Sequence, residues 1–168
     1  MGTTSLLLFL TFLGRSCLAF VVDDSNQLPT REFELLMPKA DPKEPETYLC
    51  TPLKLDKQNT YYIVGFEPRA EKKTAHHMLL YGCKTPGRQD PVFNCGAMTV
   101  KQEGLGSALS PCGSGSSIVY AWAQNAPKLQ LPKDVAFRVG GPDSGIDWLV
   151  LQVATSHFCL NFICLNTS

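Results

Sequence analysis

The feature that most constrains the fold is a series of short apolar runs, each separated from the next by turn-forming residues. Most of these runs are rich in valine, isoleucine or aromatic residues, as strands are. They lie at residues 48–55, 61–66, 76–83, 118–123, 135–139 and 148–153. No segment has a sustained helical period, and 13 glycines and 12 prolines are available for turns. The pattern predicts an all-β fold, an antiparallel β-sandwich in a single domain.

The amino terminus indicates a secreted protein. Residues 6–13 (LLLFLTFL) form an apolar run that is too short to span a bilayer. Small residues follow at Cys17 and Ala19, a pattern typical of signal-peptide cleavage. We therefore expect residues 1–19 to be a signal peptide. No later stretch approaches membrane-spanning length, so no transmembrane segment is expected.

Loss of the signal peptide removes one of the seven cysteines and leaves an even number. The remaining ones are Cys50, Cys83, Cys95, Cys112, Cys159 and Cys164. An even number of cysteines in an oxidising compartment indicates a disulfide framework. The residues alone leave the pairing open.

The organisation along the chain follows from composition. Residues 20–47 are polar and dotted with proline, which predicts an extended arm with a short edge strand at residues 33–37. Residues 48–153 carry the β-domain, and residues 154–168 form a tail.

Lysine plus arginine equals aspartate plus glutamate at 15 each, with no basic cluster, so nucleic acid is not an expected partner. The glycine-rich segment at residues 140–145 predicts a turn, because a phosphate loop would need a following helix.

An adjacent histidine pair, His76 and His77, stands at the start of the run KTAHHMLLYGC. Neighbouring residues on a regular strand point to opposite faces, which argues against a shared ligand. A bulge or strong twist would allow the two side chains to converge. From these residues alone, a structural pair and a metal site both remain open.

Several separate motifs extend beyond the histidine pair. The segments TYLC, KTAHHMLLYGC, IVYAWAQNAP, LPKDVAFRVGG and WLVLQV occur in that order. Together they resemble the copper type II, ascorbate-dependent monooxygenases. Within that family they are most similar to the branch that hydroxylates the C-terminal glycine of peptides. The resemblance covers about residues 37–153.

The resemblance implies a fold, a function and site residues. The family's catalytic core has two jelly-roll-like β-domains that bind one copper each. The match implies that His76 and His77 are ligands of the electron-transfer copper, with ascorbate as reductant and glycine-extended peptides as substrates. It also implies peptide amidation in secretory granules. The disulfides carried over from the family are Cys50–Cys95 and Cys83–Cys112.

One departure concerns the third copper ligand. The family's third histidine directly follows Leu-Gln-Val, and here Ala154 stands in that place. His157 comes three residues later, so on a continued strand it would lie about 10 Å further along and on the other face. It is a substitute only if the chain bends.

The other departure concerns the end of the resemblance. Residues 154–168 resemble nothing in the family, and we expect the second, oxygen-activating copper domain to be missing. Two hypotheses follow: a copper- and ascorbate-dependent monooxygenase by family, or a catalytically inactive secreted form with at most weak copper binding. An uncovered strand edge and the apolar tail also predict self-association.

Overall fold

The computed structural model describes residues 30–38, 47–70, 75–97, 110–155 and 163–167. Within these ranges the chain forms twelve strands and no helix. The strands are β1 (Arg31–Leu35), β2 (Tyr48–Lys54), β3 (Thr60–Pro68), β4 (Ala75–Cys83), β5 (Thr85–Pro86), β6 (Phe93–Asn94), β7 (Cys112–Ser114), β8 (Ser117–Ala123), β9 (Leu129–Gln130), β10 (Phe137–Gly140), β11 (Trp148–Thr155) and β12 (Ile163–Thr167). The predicted signal peptide and His157 lie outside the described residues.

The strands form two five-stranded sheets and one small ribbon. The first sheet has the order β1-β12-β3-β10, with β9 also paired to β3. The second sheet has the order β6-β2-β11-β4-β8, and β5 pairs with β7. Every pairing is antiparallel, which confirms the predicted fold class.

The two sheets pack face to face around one apolar core. Ile63 and Val139 come from the first sheet, and Leu80 and Leu151 come from the second. All four side chains are almost fully buried. Phe66 of the first sheet stacks on Tyr120 of the second, with ring centroids 4.3 Å apart. This packing is the sandwich that the sequence predicts.

A second apolar cluster covers the outer face of the second sheet. It contains Leu79, Tyr81 and Val150 together with the cysteines of both disulfides. Cys50 is bonded to Cys95 and Cys83 to Cys112, so both predicted disulfides are confirmed. The two central strands β4 and β11 are therefore buried on both faces over most of their length, which explains why they are continuous apolar runs rather than alternating ones.

The glycine-rich segment at residues 140–145 is a turn between β10 and β11, as predicted. Gly140, Gly141 and Gly145 have φ values of 65°, 66° and 75°. These values lie in the left-handed region, which costs residues with a Cβ atom energy. At Gly141 an added Cβ would also collide with the side chain of Thr60.

The tail contributes to the first sheet. Strand β12 lies between β1 and β3 and pairs with both. Strand β11 is paired along one edge with β2 and along the other with β4. In the described part of the chain β11 therefore has no open edge, and self-association stays a prediction.

Candidate metal centre

The histidine pair lies at a β-bulge. Ala154 on β11 pairs with His77, and the next residue, Thr155, pairs with Ala75. His76 is therefore an extra residue on β4 that no residue on β11 opposes. Bulges of this kind change the direction in which a side chain points.

The bulge places both histidines on the same face of the sheet. Ala75 and Met78, on either side of the pair, are both buried in the core between the sheets. Because neighbouring strand residues alternate between faces, His76 lies opposite to Ala75 and His77 lies opposite to Met78. Both imidazoles thus belong to the outer face, a possibility that the sequence had left open.

Small side chains flank the pair on both neighbouring strands. His77 is paired with Ala154 on β11 and with Ala123 on β8. The ring of Tyr48 lies 5.8 Å from the ring of His77, centroid to centroid. His76 is exposed to solvent and His77 is half-buried. The imidazoles can therefore be approached from the solvent side.

The electrostatic environment favours the neutral form of His77. Burial lowers the pKa of His77, and the nearby His76 lowers it further. A neutral imidazole is the form that binds a metal, because a protonated nitrogen has no lone pair to donate. The lowered pKa thus makes the metal-binding form of His77 easier to reach.

The number of donors falls short of a three-ligand site. Among the residues that the structure describes, no group of three or more histidine, cysteine, aspartate or glutamate side chains could hold a metal ion. Ala154 has the place that the resemblance assigns to the third histidine, directly across from His77. Two imidazoles fit copper as ligands, and the third place is taken by a methyl group.

Gln152 is a residue near the pair that the sequence did not single out. It is fully buried on β11, two residues before Ala154 and therefore on the same face. Its Nε2 atom donates to the carbonyl oxygen of Gly96 at 3.0 Å, while Oε1 has no hydrogen-bond partner within the described ranges. The signal available in the sequence was a lone amide in the apolar run WLVLQV.

Comparison with known proteins identifies the family. The sequence profile of the copper type II ascorbate-dependent monooxygenase, N-terminal domain, matches residues 33–159. The chain belongs to this family. The matched range includes both histidines, both disulfides and most of the two large sheets. It also continues through residue 159, so the prediction that the resemblance ends at residue 153 was wrong for residues 154–159.

Individual relatives of this copper type II monooxygenase agree with the profile. The chain is 44% identical over 120 residues to peptidyl-glycine alpha-amidating monooxygenase A of Xenopus laevis. It is 40% identical over 120 residues to peptidylglycine alpha-amidating monooxygenase of Rattus norvegicus. Each match covers 71% of this chain and 11% of the relative. The chain thus spans about a tenth of the relatives' length. The described residues include no helix that is long and apolar enough to cross a membrane.

Proposed function

We propose that this chain carries the electron-transfer copper site of a peptidylglycine α-hydroxylating monooxygenase, with His76 and His77 as copper ligands. The observation that carries the proposal is the bulge on β4, which puts two adjacent histidines on one face of the sheet. The names of the relatives support peptide amidation as the reaction to which the site contributes.

The residues around the pair have defined roles in this proposal. His77 is half-buried with a lowered pKa, and Tyr48 packs beside its ring. Tyr48 lies on β2, which is paired with β11 and is anchored by the Cys50–Cys95 disulfide. The chemistry that copper supplies at such a site is single-electron transfer from ascorbate. The protein's part is to keep both imidazole nitrogens available on a rigid sheet.

The wider function is proposed by extension from the family. Its substrates would be peptides that end in glycine, which are hydroxylated during amidation. Residues 1–19 would be a signal peptide that directs the chain to the secretory pathway and its granules. Two disulfides in the domain agree with an oxidising compartment.

A second candidate is a catalytically inactive secreted form that binds copper weakly. The observation in its favour is Ala154, which is paired directly with His77 and offers no donor atom. Loss of a ligand weakens copper binding and alters the metal's coordination. Electron transfer would then be impaired even where copper still binds. In this candidate the fold is retained and the chemistry is lost.

Two measurements separate the candidates. The secreted chain is incubated with copper, ascorbate and a glycine-extended peptide, and mass spectrometry follows the hydroxylated product. Product formation supports the enzyme, and its absence together with measurable copper binding supports the inactive form.

Copper titration of the chain and of the double variant H76A/H77A tests the ligands themselves. Equal affinity in the two proteins would contradict the assignment of both histidines.

A restored third ligand gives an independent check. Ala154→His should tighten copper binding by roughly tenfold or more, because a third imidazole would stand directly across from His77; tenfold corresponds to about 1.4 kcal/mol. Ala154→Asn is the matched control, similar in size and polarity but without an imidazole. Equal affinities for the two variants would show that position 154 does not face the copper.

A further inference from the structure

One side of the sandwich ends in a strand edge that has few of the usual protections. Among the described strands, β8 is the last strand of the second sheet and pairs with β4 along one edge. Its sequence, SIVYAWA, has no charged residue and no proline. A bulge interrupts its register with β4 before Tyr120, and residues 120–123 are regular. An edge of this kind can bind another chain through its backbone groups.

The other strands at the ends of the two sheets differ from β8. β1 carries Arg31, Glu32 and Glu34 among its five residues, and β10 has four residues with Arg138 among them. β6 and β9 have two residues each. Short length and charged side chains are features that protect edge strands from pairing. Among the described end strands, β8 is therefore the one best suited to accept an added strand.

The first sheet presents apolar side chains beside this edge. Phe66 on β3 stacks on Tyr120 of β8, so β3 lies across the core from β8. Leu129 on β9 is paired with Phe66, whose side chain is buried in the core. Phe137 on β10 is paired with Ile63, which is buried in the same core. Paired residues share a face of the sheet. Leu129 and Phe137 therefore face inwards, yet they are 44% and 37% exposed.

We propose that the edge of β8 and the inward faces of Leu129 and Phe137 form a groove that binds an extended peptide as an added strand. The peptide has apolar residues at alternate positions and acidic residues at its ends. Its backbone pairs with β8, and its alternate side chains on one face contact Leu129 and Phe137. This inference does not depend on copper binding at the histidine pair.

The charges beside the groove define the ends of the peptide. The stretch that contains both apolar groove residues carries three cations, Lys128, Lys133 and Arg138, against one anion, Asp134, and all four residues are exposed. Opposite charges across an interface favour association, and like charges disfavour it. Acidic residues at the ends of the peptide are therefore complementary to this stretch, and basic residues are not.

The test measures binding of the synthetic peptide EVTVTVE to the secreted chain by isothermal titration calorimetry, without copper. Two control peptides have the same length. KVTVTVK reverses the charges at the ends and should bind roughly fivefold or more weakly. EVTVTVE with N-methyl groups on its inner amides keeps the side chains but loses the backbone donors that an added strand needs, and it should not bind.

Variants and hydrogen exchange locate the site. L129T removes an apolar side chain from the groove and should weaken binding of EVTVTVE roughly fivefold or more. Y62T is the matched control, because Tyr62 on β3 is exposed to a similar extent and lies outside the groove. Amides of residues 117–123 should exchange more slowly when EVTVTVE is present. Circular dichroism of each variant establishes that the fold is intact.

Each alternative has its own result. Absence of binding at millimolar EVTVTVE, or equal binding of its N-methylated form, would overturn strand addition. Equal binding of KVTVTVK would overturn the acidic partner, and slower exchange elsewhere than in β8 would overturn the site. A homodimer that excludes the peptide, seen by light scattering, would overturn the inference in favour of a second copy. H76A/H77A should bind EVTVTVE as the unmodified chain does, so failure of either proposal leaves the other standing.

Discussion

Removal of the Cys50–Cys95 disulfide should be among the most damaging changes in this domain. The bond links β2 to the segment after β6 and closes a sequence separation of 45 residues. Both cysteines are buried, at 0% and 1% exposure. The change to test is therefore the double variant C50A/C95A, because serine would bury two hydroxyl groups at some cost.

The magnitude follows from the loop that the bond closes. For a loop of this length, the chain-entropy relation gives about 13.5 cal/mol/K, or about 4 kcal/mol at 25 °C. Lost burial of two sulfur atoms adds on the order of 1 kcal/mol. The expected loss is therefore about 4–5 kcal/mol, against a total of about 5–15 kcal/mol for a typical domain. In a domain at the lower end of that range, a loss of this size would bring the variant close to unfolding.

Urea unfolding under non-reducing conditions measures the effect. Besides the lower free energy of unfolding, the dependence on urea should steepen, because an unfolded chain with one fewer cross-link exposes more surface. The comparison is C83A/C112A, whose separation of 29 residues predicts about 3.6 kcal/mol from the same relation, against about 4 kcal/mol for C50A/C95A. A loss below about 1 kcal/mol for C50A/C95A would refute the reasoning.

Three further changes test the fold. A hydrogen bond from Lys84 lowers the pKa of the Asp147 carboxyl group. The ionised carboxylate therefore stabilises the folded state fully above its ordinary pKa of 3.8, and this stabilisation is lost as the pH falls through the lowered folded-state pKa. D147N should therefore be less stable than the unmodified chain at neutral pH, and its stability should change less with pH in acid. Urea midpoints measured across the pH range follow both effects. G141A should cost more than G145A, about 2–4 against about 1–2 kcal/mol in thermal unfolding, because both strain the backbone but only the first meets Thr60. Deletion of residues 156–168 should remove β12 and expose the edge of β3, which light scattering would detect as more association than the full chain shows at the same concentration. Equal scattering by the two chains would contradict this.

Much of the fold could be predicted from local composition. The six apolar runs correspond to β2, β3, β4, β8, β10 and β11, with ends displaced by one or two residues. Strands of two or three residues, such as β5 and β9, carry too few side chains to form a pattern. The sequence predicts only an apolar tail at residues 154–168, because the pairing of β12 with distant β1 and β3 leaves no mark in its own sequence.

The candidate site was less predictable, for a physical reason. Whether His76 and His77 share a face depends on the register between β4 and β11, and the bulge is a property of both strands together. The disulfide pairs were likewise open from cysteine spacing, and only the resemblance singled them out. In each case the missing information is a contact between residues far apart in the chain.

Position 154 is where the two functional hypotheses divide. The register places this residue across from His77 on one side and Tyr48 on the other, so a side chain here lies on the face of the histidine pair. The strands, the bulge and both disulfides that would support a third ligand are all in place. The difference between a closed three-histidine site and an open pair is then one imidazole, and the backbone need not change. For this reason a substitution at Ala154 can test the chemistry of the site without altering the architecture that holds it.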